Sequence, residues 1–515
     1  MKNHTYLNHT PLNKKVSRTA GEYIESNNEK FYKISNYDQI RPFFISMVSH
    51  TDHWFFISSN GGLSAGRKSA DLALFPYYTD DKITNNAENT GSKTILKVHT
   101  DNEVHLWEPF SSRYEGIYPI TRNLYKNFAG NKIIFEETNE ALSITFLYTW
   151  QVSDKYGFIK TSEIQNLNHK QLTIELLDGI QNILPYGVGA DLQNNTSNLA
   201  NAYKRNELVN MVKLGIYSLS AMIIDKAEPS EALKATTVWS TGLKANNILL
   251  SSLQLDEFRK DNKLKKETDM RAEPGAYFIN SGITLNSQEY KQWHIVADVE
   301  QDHSKIYDLI EQLKLDPQKI ESMLLSDIDK GTTMLKKLVA TADGLQKTAD
   351  ELSVGRHFSN VLFNIMRGGV FEDQYKIEKA DLLDFVQTFN QSIADKYQDF
   401  FNQFDDSLNY FVLLEKAEKS GNSDLTRIAY EYLPLTFSRR HGDPSRPWNK
   451  FSIPGKNPDD SYIKSYEGNW RDIFQNWEAL GYSFPGFILS MITKFVNAST
   501  IDGYNPYRIK RNGID

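Results

Sequence analysis

The fold of the first half of the chain is decided by the stretch Leu142-Ser143-Ile144-Thr145-Phe146-Leu147-Tyr148-Thr149-Trp150. Large apolar residues occupy every second position, and serine or threonine fills most of the positions between them. A period of two is typical of a strand with one buried face, because successive side chains of a strand point to opposite faces. The stretch therefore predicts a half-buried β-strand.

The same alternation extends over most of the first half of the chain. Between Lys30 and about Val299, strand-like runs are separated by residues that favour turns. The runs on either side of Asp101-Asn102 predict a hairpin. The clearest runs are Ile95 to His99, Val104 to Trp107, Phe158 to Ile164 and Leu172 to Ile180. Their spacing predicts one large antiparallel β-sandwich.

The hydrophobic period changes after His294. Apolar residues then recur at intervals of three and four, which is typical of helices with one buried face. They are Ile306, Leu309, Ile310 and Leu313, then Ile320, Met323, Leu324 and Ile328, with later stripes at 382–397 and 487–495. We therefore expect a helical second half and a multidomain chain, β first and α second. Its predicted parts are a flexible leader over 1–29, the β-sandwich over 30–300, a helical linker over 301–340 and a helical domain over 341–515.

Composition excludes several classes of protein. The 515 residues include 65 acidic and 58 basic side chains and no cysteine. This near balance of charge argues against nucleic acid or an anionic membrane as the main partner. The lack of cysteine excludes disulfides, thiolate catalysis and cysteine-ligated metals. With no apolar run of 18 residues and a polar start, we expect a cytoplasmic protein without a membrane span.

Polar and aromatic groups are densest between Arg439 and Arg508. Carbohydrate sites need this mixture, since aromatic faces cover the apolar side of a sugar ring while charged and amide groups bind its hydroxyls. Cleavage of a glycosidic bond also needs a carboxylic acid. The candidate acids are Asp472 and Glu467, with Glu478 third, and no metal site is expected. The candidate sugar-binding residues are Arg440, Asp443, Arg446, Trp448, Glu467, Trp470, Arg471 and Asn505.

A structural interpretation of these residues stays open. Trp470, Phe474 and Trp477 have the spacing of a buried helix stripe, which would leave the polar residues beside them in solvent. The long connection at 438–462 has the length of a functional loop. It is equally consistent with a surface loop held by internal salt bridges.

The run Gly468-Asn469-Trp470-Arg471-Asp472, preceded by a sandwich and linker helices, resembles the inverting glycoside phosphorylases of the cellobiose phosphorylase type, glycoside hydrolase family 94. Their Gly-Asp-Trp-Asn-Asp motif ends in the general acid. The whole pattern is still more similar to the long β-1,3-glucan phosphorylases of family 149. Asn469 and Arg471 depart from the family 94 motif, so the substrate need not be the same. The resemblance implies that Asp472 is the general acid and that 341–515 form part of an (α/α)6 barrel.

The resemblance also implies a reaction: reversible, inverting phosphorolysis of β-glucosidic oligosaccharides, of the β-1,3-glucan or cellobiose type, which gives α-glucose 1-phosphate. The implied partners are an oligosaccharide and inorganic phosphate as co-substrate, with no other cofactor. An inverting glycoside hydrolase and a non-catalytic carbohydrate-binding protein remain alternatives.

The family's phosphate-binding groups lie on barrel segments that follow the acid. We therefore expect this chain to be the front part of a barrel, with an apolar open edge near 487–495. We also expect it to be inactive or nearly so by itself, and to pair with a second copy or with a C-terminal segment.

Overall fold

The computed structural model describes residues 5–13, 15, 17–100, 103–223, 230–439 and 451–514. These residues form two compact units. The described residues of the first unit run to Ser49 and from His53 to Thr332, and the second unit holds His50–Asp52 and the described residues after Thr332.

The first unit is built from antiparallel strands. They are β1 (Tyr6–Leu7), β2 (Thr10–Pro11), β3 (Ala20–Ser26), β4 (Glu29–Ser35), β5 (Phe44–Met47), β6 (His53–Ser58), β7 (Leu63–Arg67), β8 (Ala73–Phe75), β9 (Gly91–His99), β10 (Val104–Trp107), β11 (Ile120–Asn127), β12 (Ile133–Asn139), β13 (Ile144–Ser153), β14 (Gly157–Asn166), β15 (Leu172–Ile183), β16 (Lys204–Val209), β17 (Leu214–Leu219), β18 (Lys234–Thr241), β19 (Asn247–Leu249), β20 (Asp269–Arg271), β21 (Gly275–Leu285) and β22 (Tyr290–Asp302). Short helices lie in the connections: α1 (Asp80–Asn85), α2 (Ala190–Asn195), α3 (Ser197–Tyr203), α4 (Leu255–Arg259) and a 3-10 turn at Tyr37–Gln39.

Two large sheets dominate this unit within the described residues. One has eleven strands in the order β20-β16-β17-β18-β22-β14-β13-β12-β11-β4-β3, and the other has five in the order β10-β9-β15-β21-β19. The stretch that decided the fold lies in β13, at the middle of the larger sheet. The predicted hairpin is present, since Val104 of β10 pairs with His99 of β9.

The two large sheets share one hydrophobic core. Phe146 and Tyr148 of β13 belong to the same buried cluster as Ile174 and Leu176 of β15. Each of these side chains is at most 2% exposed. The alternation along β13 therefore identified the buried face of that strand correctly. The predicted antiparallel sandwich is confirmed.

The predicted leader is too long. Strand β3, which falls within it, pairs along its full length with β4 at the edge of the large sheet. Asn27 and Asn28 connect the two strands with φ of 50° and 60°, as a two-residue type I′ hairpin turn requires. Because β3 is an edge strand and largely exposed, its sequence is polar enough to be mistaken for an unstructured segment.

Two helices follow the sandwich, as predicted for the linker. They are α5 (His303–Leu313) and α6 (Pro317–Thr341). Asp302 caps α5 by accepting a hydrogen bond from the backbone N–H of Lys305 at 3.0 Å. The predicted stripe of α6 packs on the outer face of the large sheet, where Ile320 and Leu324 join a buried cluster with Trp239.

The second unit is mainly helical. Its further helices are α7 (Glu351–Gly368), α8 (Lys379–Phe389), α9 (Gln391–Lys396), α10 (Gln398–Asn402), α11 (Tyr410–Lys419), α12 (Ser423–Glu431), α13 (Trp470–Ser483) and α14 (Ile488–Ala498), with a 3-10 turn at Pro485–Phe487. The order of β followed by α is confirmed. Nowhere in the described ranges is a helix both long and apolar enough to cross a membrane.

The expectation of an entirely helical second half was wrong in one respect. Short strands β23 (Lys376–Glu378) and β24 (Ser407–Asn409) pair with each other, and β25 (Glu467–Asn469), β26 (Arg508–Lys510) and β27 (Gly513–Ile514) form a small sheet. Runs of two or three residues are too short to show a period of two, and β23 and β25 pair with strands that lie far away in sequence.

The apolar residues predicted at 487–495 are partly buried and partly exposed. Phe487, Met491 and Phe495 are buried, whereas neighbouring large side chains of α14 are exposed. The exposed ones are Ile488, Leu489, Ile492 and Val496. One face of α14 therefore packs into the second unit while the other presents an apolar surface.

Candidate functional site

The motif that suggested a general acid forms a strand and the first turn of a helix. Strand β25 runs directly into α13, and Asn469 at the junction has extended backbone angles. Asp472 lies in the first turn of α13, and its side chain is 51% exposed. The Arg471 side chain, 84% exposed, lies beside it with Nε 3.6 Å from Oδ1 of Asp472. We call residues 470–473 the acid-bearing turn.

Aromatic side chains support this turn from beneath. Trp477 is buried, and its Nε1 donates a hydrogen bond to the carbonyl of Gly368 at 2.8 Å. The ring of Phe495 lies edge-on to Trp477 and to the half-buried Trp470, with centroids 5.3 and 4.7 Å apart. Phe474 is exposed. The buried-stripe interpretation therefore describes Trp477, while Phe474 faces solvent.

A hairpin fixes the backbone that leads into the turn. Strands β25 and β26 pair antiparallel, with Asn469 opposite Arg508. One step further along, the N–H of Trp470 donates to the carbonyl of Tyr507 at 3.0 Å. That N–H is the first of the helix and has no partner within the helix itself. The hairpin therefore holds the start of α13 by main-chain hydrogen bonds.

Glu467, the second candidate acid, is engaged in an ion pair. Nη1 of Arg508 donates to its Oε1 at 2.7 Å, and both side chains are mostly buried. Its carboxylate therefore ties β25 to β26 by a side-chain contact, which suits a structural role. Sequence reasoning missed Arg508 as the partner of Glu467. The alternation of Tyr507 and Ile509 with Arg508 and Lys510 was a weak signal of a strand.

The other predicted site residues lie at different places. Asn505 is exposed in the connection after α14, where its Oδ1 accepts from the hydroxyl of Ser499 at 2.9 Å. Four predicted sugar-binding residues lie outside the described residues: Arg440, Asp443, Arg446 and Trp448. Glu467, Trp470, Arg471 and Asp472 lie on one continuous segment, from β25 into the first turn of α13.

Arg439, at the start of the long loop at 438–462, is buried. Arg439 donates to the carbonyl of Thr51 through Nη2. Burial lowers the pKa of its guanidinium to about 10, against the opposing effect of Asp52. His50, Thr51 and Asp52 are buried in the second unit. Arg439 remains a cation at neutral pH, so it brings positive charge to the base of this loop.

A cavity of about 740 Å³ lies at the other end of the helix that carries the motif. Its lining includes Tyr482 and Ser483 from the end of α13 and His357, Asn360 and Asn364 from α7. Eleven residues of helix separate Asp472 from Ser483, which is about 16 Å at 1.5 Å per residue. This cavity is therefore distinct from the surroundings of the acid-bearing turn. Among the described side chains, no group of three or more His, Cys, Asp or Glu is arranged to hold a metal ion.

Residues 371–434 match the family model "Glycoside hydrolase family 149 insertion domain 1". This segment is therefore similar to an insertion domain of family 149. This match confirms the resemblance to glycoside phosphorylases of the family 94 and 149 type, and it marks a carbohydrate-active enzyme of the glycoside hydrolase or phosphorylase type. The insertion domain comprises β23, β24 and helices α8–α12, and it precedes the acid-bearing turn in sequence.

Solved structures give weaker likenesses. A bacterial glucoamylase complexed with acarbose is 9% identical with a TM-score of 0.38, over 94% of this chain and 68% of that chain. A polysaccharide lyase is 10% identical with a TM-score of 0.30, over 53% of this chain and 34% of the other. A kojibiose phosphorylase candidate from the human microbiome is 6% identical with a TM-score of 0.22, over 57% and 31%. At such values these likenesses carry no argument about activity. No curated protein matches the sequence.

Proposed function

We propose that this chain belongs to a reversible inverting phosphorylase of β-glucosidic oligosaccharides, with Asp472 as general acid and inorganic phosphate as co-substrate. The observation that carries the proposal is the family 149 insertion domain at 371–434. The position of Asp472 is compatible with the role, because its carboxyl is accessible and a hairpin holds its turn.

The chemistry needs a single catalytic carboxyl. Asp472 gives its proton to the oxygen of the scissile glycosidic bond as that bond breaks. Phosphate attacks the anomeric carbon from the opposite face, so the β-glucoside becomes α-glucose 1-phosphate. In the reverse direction the Asp472 carboxylate accepts the proton of the attacking sugar hydroxyl.

Two features favour phosphorolysis over hydrolysis. An inverting hydrolase needs a second carboxylate that activates water, about 6.5–9.5 Å from the acid. Glu467 is paired with Arg508. Glu478 is six residues further along α13, about 240° around the helix from Asp472, so the two carboxylates leave different faces. Neither is arranged as a base opposite Asp472.

We further propose that the loop at 438–462 binds substrate through Arg440, Asp443, Arg446 and Trp448. Guanidinium and carboxylate groups can pair with neighbouring sugar hydroxyls or with phosphate. Arg446→Ala should weaken binding of glucose 1-phosphate without changing the melting temperature. A lower melting temperature with unchanged binding would favour a salt-bridged surface loop.

The decisive experiment uses the purified protein. Laminari- and cello-oligosaccharides are incubated with and without phosphate, and the anomeric form of the product is followed by proton NMR. The proposal expects α-glucose 1-phosphate only when phosphate is present. Release of free sugar without phosphate would indicate the hydrolase, and oligosaccharide binding without turnover would indicate the non-catalytic alternative.

Asp472→Asn supplies the test of the acid, with Glu478→Gln as the matched control on the same helix. Cleavage of oligosaccharides should fall by about 10²–10⁴-fold in Asp472→Asn, the usual contribution of a general acid. Glu478→Gln should leave the rate within about twofold, since an exposed carboxylate makes little difference to its surroundings. Retained activity in Asp472→Asn would show the assignment to be wrong.

A further inference from the structure

Arg511 connects the insertion domain to the segment that leads into the acid-bearing turn. Its Nη2 donates to Oδ1 of Asp381 in α8 at 2.7 Å, and its Nη1 donates to the carbonyl of Lys464, also at 2.7 Å. Its backbone N–H donates to the carbonyl of Tyr466 at 3.0 Å. The side chains of Arg511 and Asp381 are only 10% and 13% exposed. One arginine therefore ties the insertion domain to residues 464–466.

Asp381 is held from within the insertion domain as well. The hydroxyl of Tyr432, directly after α12, donates to its Oδ2 at 2.6 Å. Burial, together with the nearby Asp381 carboxylate, raises the pKa of Tyr432 well above its usual value. The phenol therefore stays protonated and remains a donor over the working pH range. Both oxygens of Asp381 thus have a donor, and the carboxylate has little freedom to move.

The held segment continues without a break into the catalytic motif. Residue 466 is followed by β25 and then by Trp470, the first residue of α13. Arg511 lies directly after β26, the strand that pairs with β25, and fixes that end of the hairpin. The other end is fixed by the hydrogen bond from Trp470 to Tyr507. A displacement of Arg511 would therefore shift the register or tilt of the turn that carries Asp472.

We propose that the insertion domain positions Asp472 through the Asp381–Arg511 ion pair. The proposal rests on the proposed function, because it takes Asp472 as the general acid. Asp381 and Arg511 are positioning residues: they act on the orientation of the acid through the hairpin. Proton transfer in the transition state is sensitive to such placement, and an error of 1 Å can lower a rate by about a hundredfold. The segment 371–434 then influences catalysis indirectly, through the placement of Asp472.

The test compares two substrates in Asp381→Asn, which keeps the shape of the side chain, and Arg511→Lys, which keeps the charge but loses the forked guanidinium. Laminari-oligosaccharide needs its leaving oxygen protonated, whereas dinitrophenolate leaves from 2,4-dinitrophenyl β-glucoside without a proton. With phosphate present, both variants should lose about 10–100-fold in kcat on the oligosaccharide and change less than about threefold on the aryl glucoside. Equal losses on both substrates, or no loss on the oligosaccharide, would overturn the proposal.

The matched control is Glu418→Gln. Glu418 accepts a hydrogen bond from Tyr430 at 2.6 Å, within the insertion domain and away from Arg511. This variant should leave the ratio of the two rates unchanged. A change of that ratio as large as in Asp381→Asn would show a general effect of disturbing the domain and would contradict the proposal.

Hydrogen exchange on the chain provides a reading that does not depend on activity. Amides of residues 464–473 should exchange at least about tenfold faster in Asp381→Asn, since the hairpin loses a brace, while those of β13 and β14 keep their rates. Unchanged exchange at 464–473 would overturn the proposal. If Asp472→Asn keeps its activity on oligosaccharides, the assignment of the general acid fails, and hydrogen exchange still decides whether the segment 371–434 braces the turn.

Discussion

Lys160 and Asp178 form an ion pair inside the sandwich, with Nζ 2.5 Å from Oδ1 and both side chains fully buried. Thr94 donates a second hydrogen bond to Oδ1, and Ser162 and Trp293 donate to Oδ2. Burial lowers the pKa of Lys160, and Asp178 opposes this shift. The two charges are tolerated in the core because each compensates the other and because four donors surround the carboxylate.

Asp178→Asn should therefore destabilise the sandwich strongly. The substitution keeps the shape of the side chain but leaves Lys160 as a buried cation without its counter-ion, which costs about 3–5 kcal/mol. Urea unfolding of the variant measures this loss. Glu257→Gln, at an exposed pair with Lys260 in the same unit, is the control and should change the unfolding free energy by less than about 1 kcal/mol. Similar effects of the two substitutions would contradict the prediction.

The buried Lys204 should make the unfolding free energy depend on pH in the alkaline range. Its side chain is 2% exposed on β16, and burial lowers its pKa from 10.5 to about 8. Between pH 8 and 10.5 the unfolded chain therefore binds more protons than the folded chain at this position, so the unfolding free energy rises with pH. Over this range Lys204 should raise the unfolding free energy by about 3 kcal/mol.

Lys204→Met tests this dependence. The variant should be more stable than the parent near pH 7, by up to about 3 kcal/mol. Its rise between pH 8 and 10.5 should be smaller than that of the parent, because the contributions of Lys126 and Lys494, whose pKa values are also lowered to about 8, remain. Lys260→Met, at an exposed position, is the control. Unfolding in urea at half-unit pH steps gives the two curves. A variant that keeps the slope of the parent would refute the role of Lys204.

Glu467 and Asp472 should respond differently to neutralisation. Glu467→Gln retains a hydrogen-bond acceptor for Arg508, so phosphorolysis should fall less than about tenfold, the equivalent of 1.4 kcal/mol. Asp472→Asn removes the transferable proton and should cost far more. Initial rates of α-glucose 1-phosphate formation compare them. Equal losses would indicate that Glu467 takes part in the chemistry, as the hydrolase alternative requires.

Gly369 should be intolerant of a side chain. It ends α7 with φ of +88°, and an added Cβ would lie 3.0 Å from Cβ of Leu435 and 3.1 Å from the carbonyl of Thr436. Gly369→Ala should therefore lower the unfolding free energy of the second unit by at least about 2 kcal/mol. Gly421, with φ of +64° and open space around it, is the matched control. Gly421→Ala should lower the unfolding free energy by only about 1 kcal/mol, the cost of a positive φ for alanine. If the two variants lose the same unfolding free energy, the packing around Gly369 is loose.

The sequence predicted those features that depend on local patterns. Alternation identified β13, and the helical stripe of α6 was read correctly because both elements are long and bury one face. Strand β3 was missed because its exposed edge position makes it polar. The pairing of Asp381 with Arg511 spans 130 residues, and no local pattern encodes such a contact. The motif at 468–472 pointed to a candidate acid, but the partner of Glu467 became visible only when the hairpin was known.

The edge-on packing of Trp470 against Phe495 gives the acid-bearing turn an optical signal of its own. An indole at the first position of a helix, half in solvent, changes its emission wavelength when that turn loosens or when a ligand covers it. Fluorescence titration can therefore follow events at this turn with natural amino acids alone, in seconds and at low protein concentration. A Trp470→Phe background shows which part of the signal arises there.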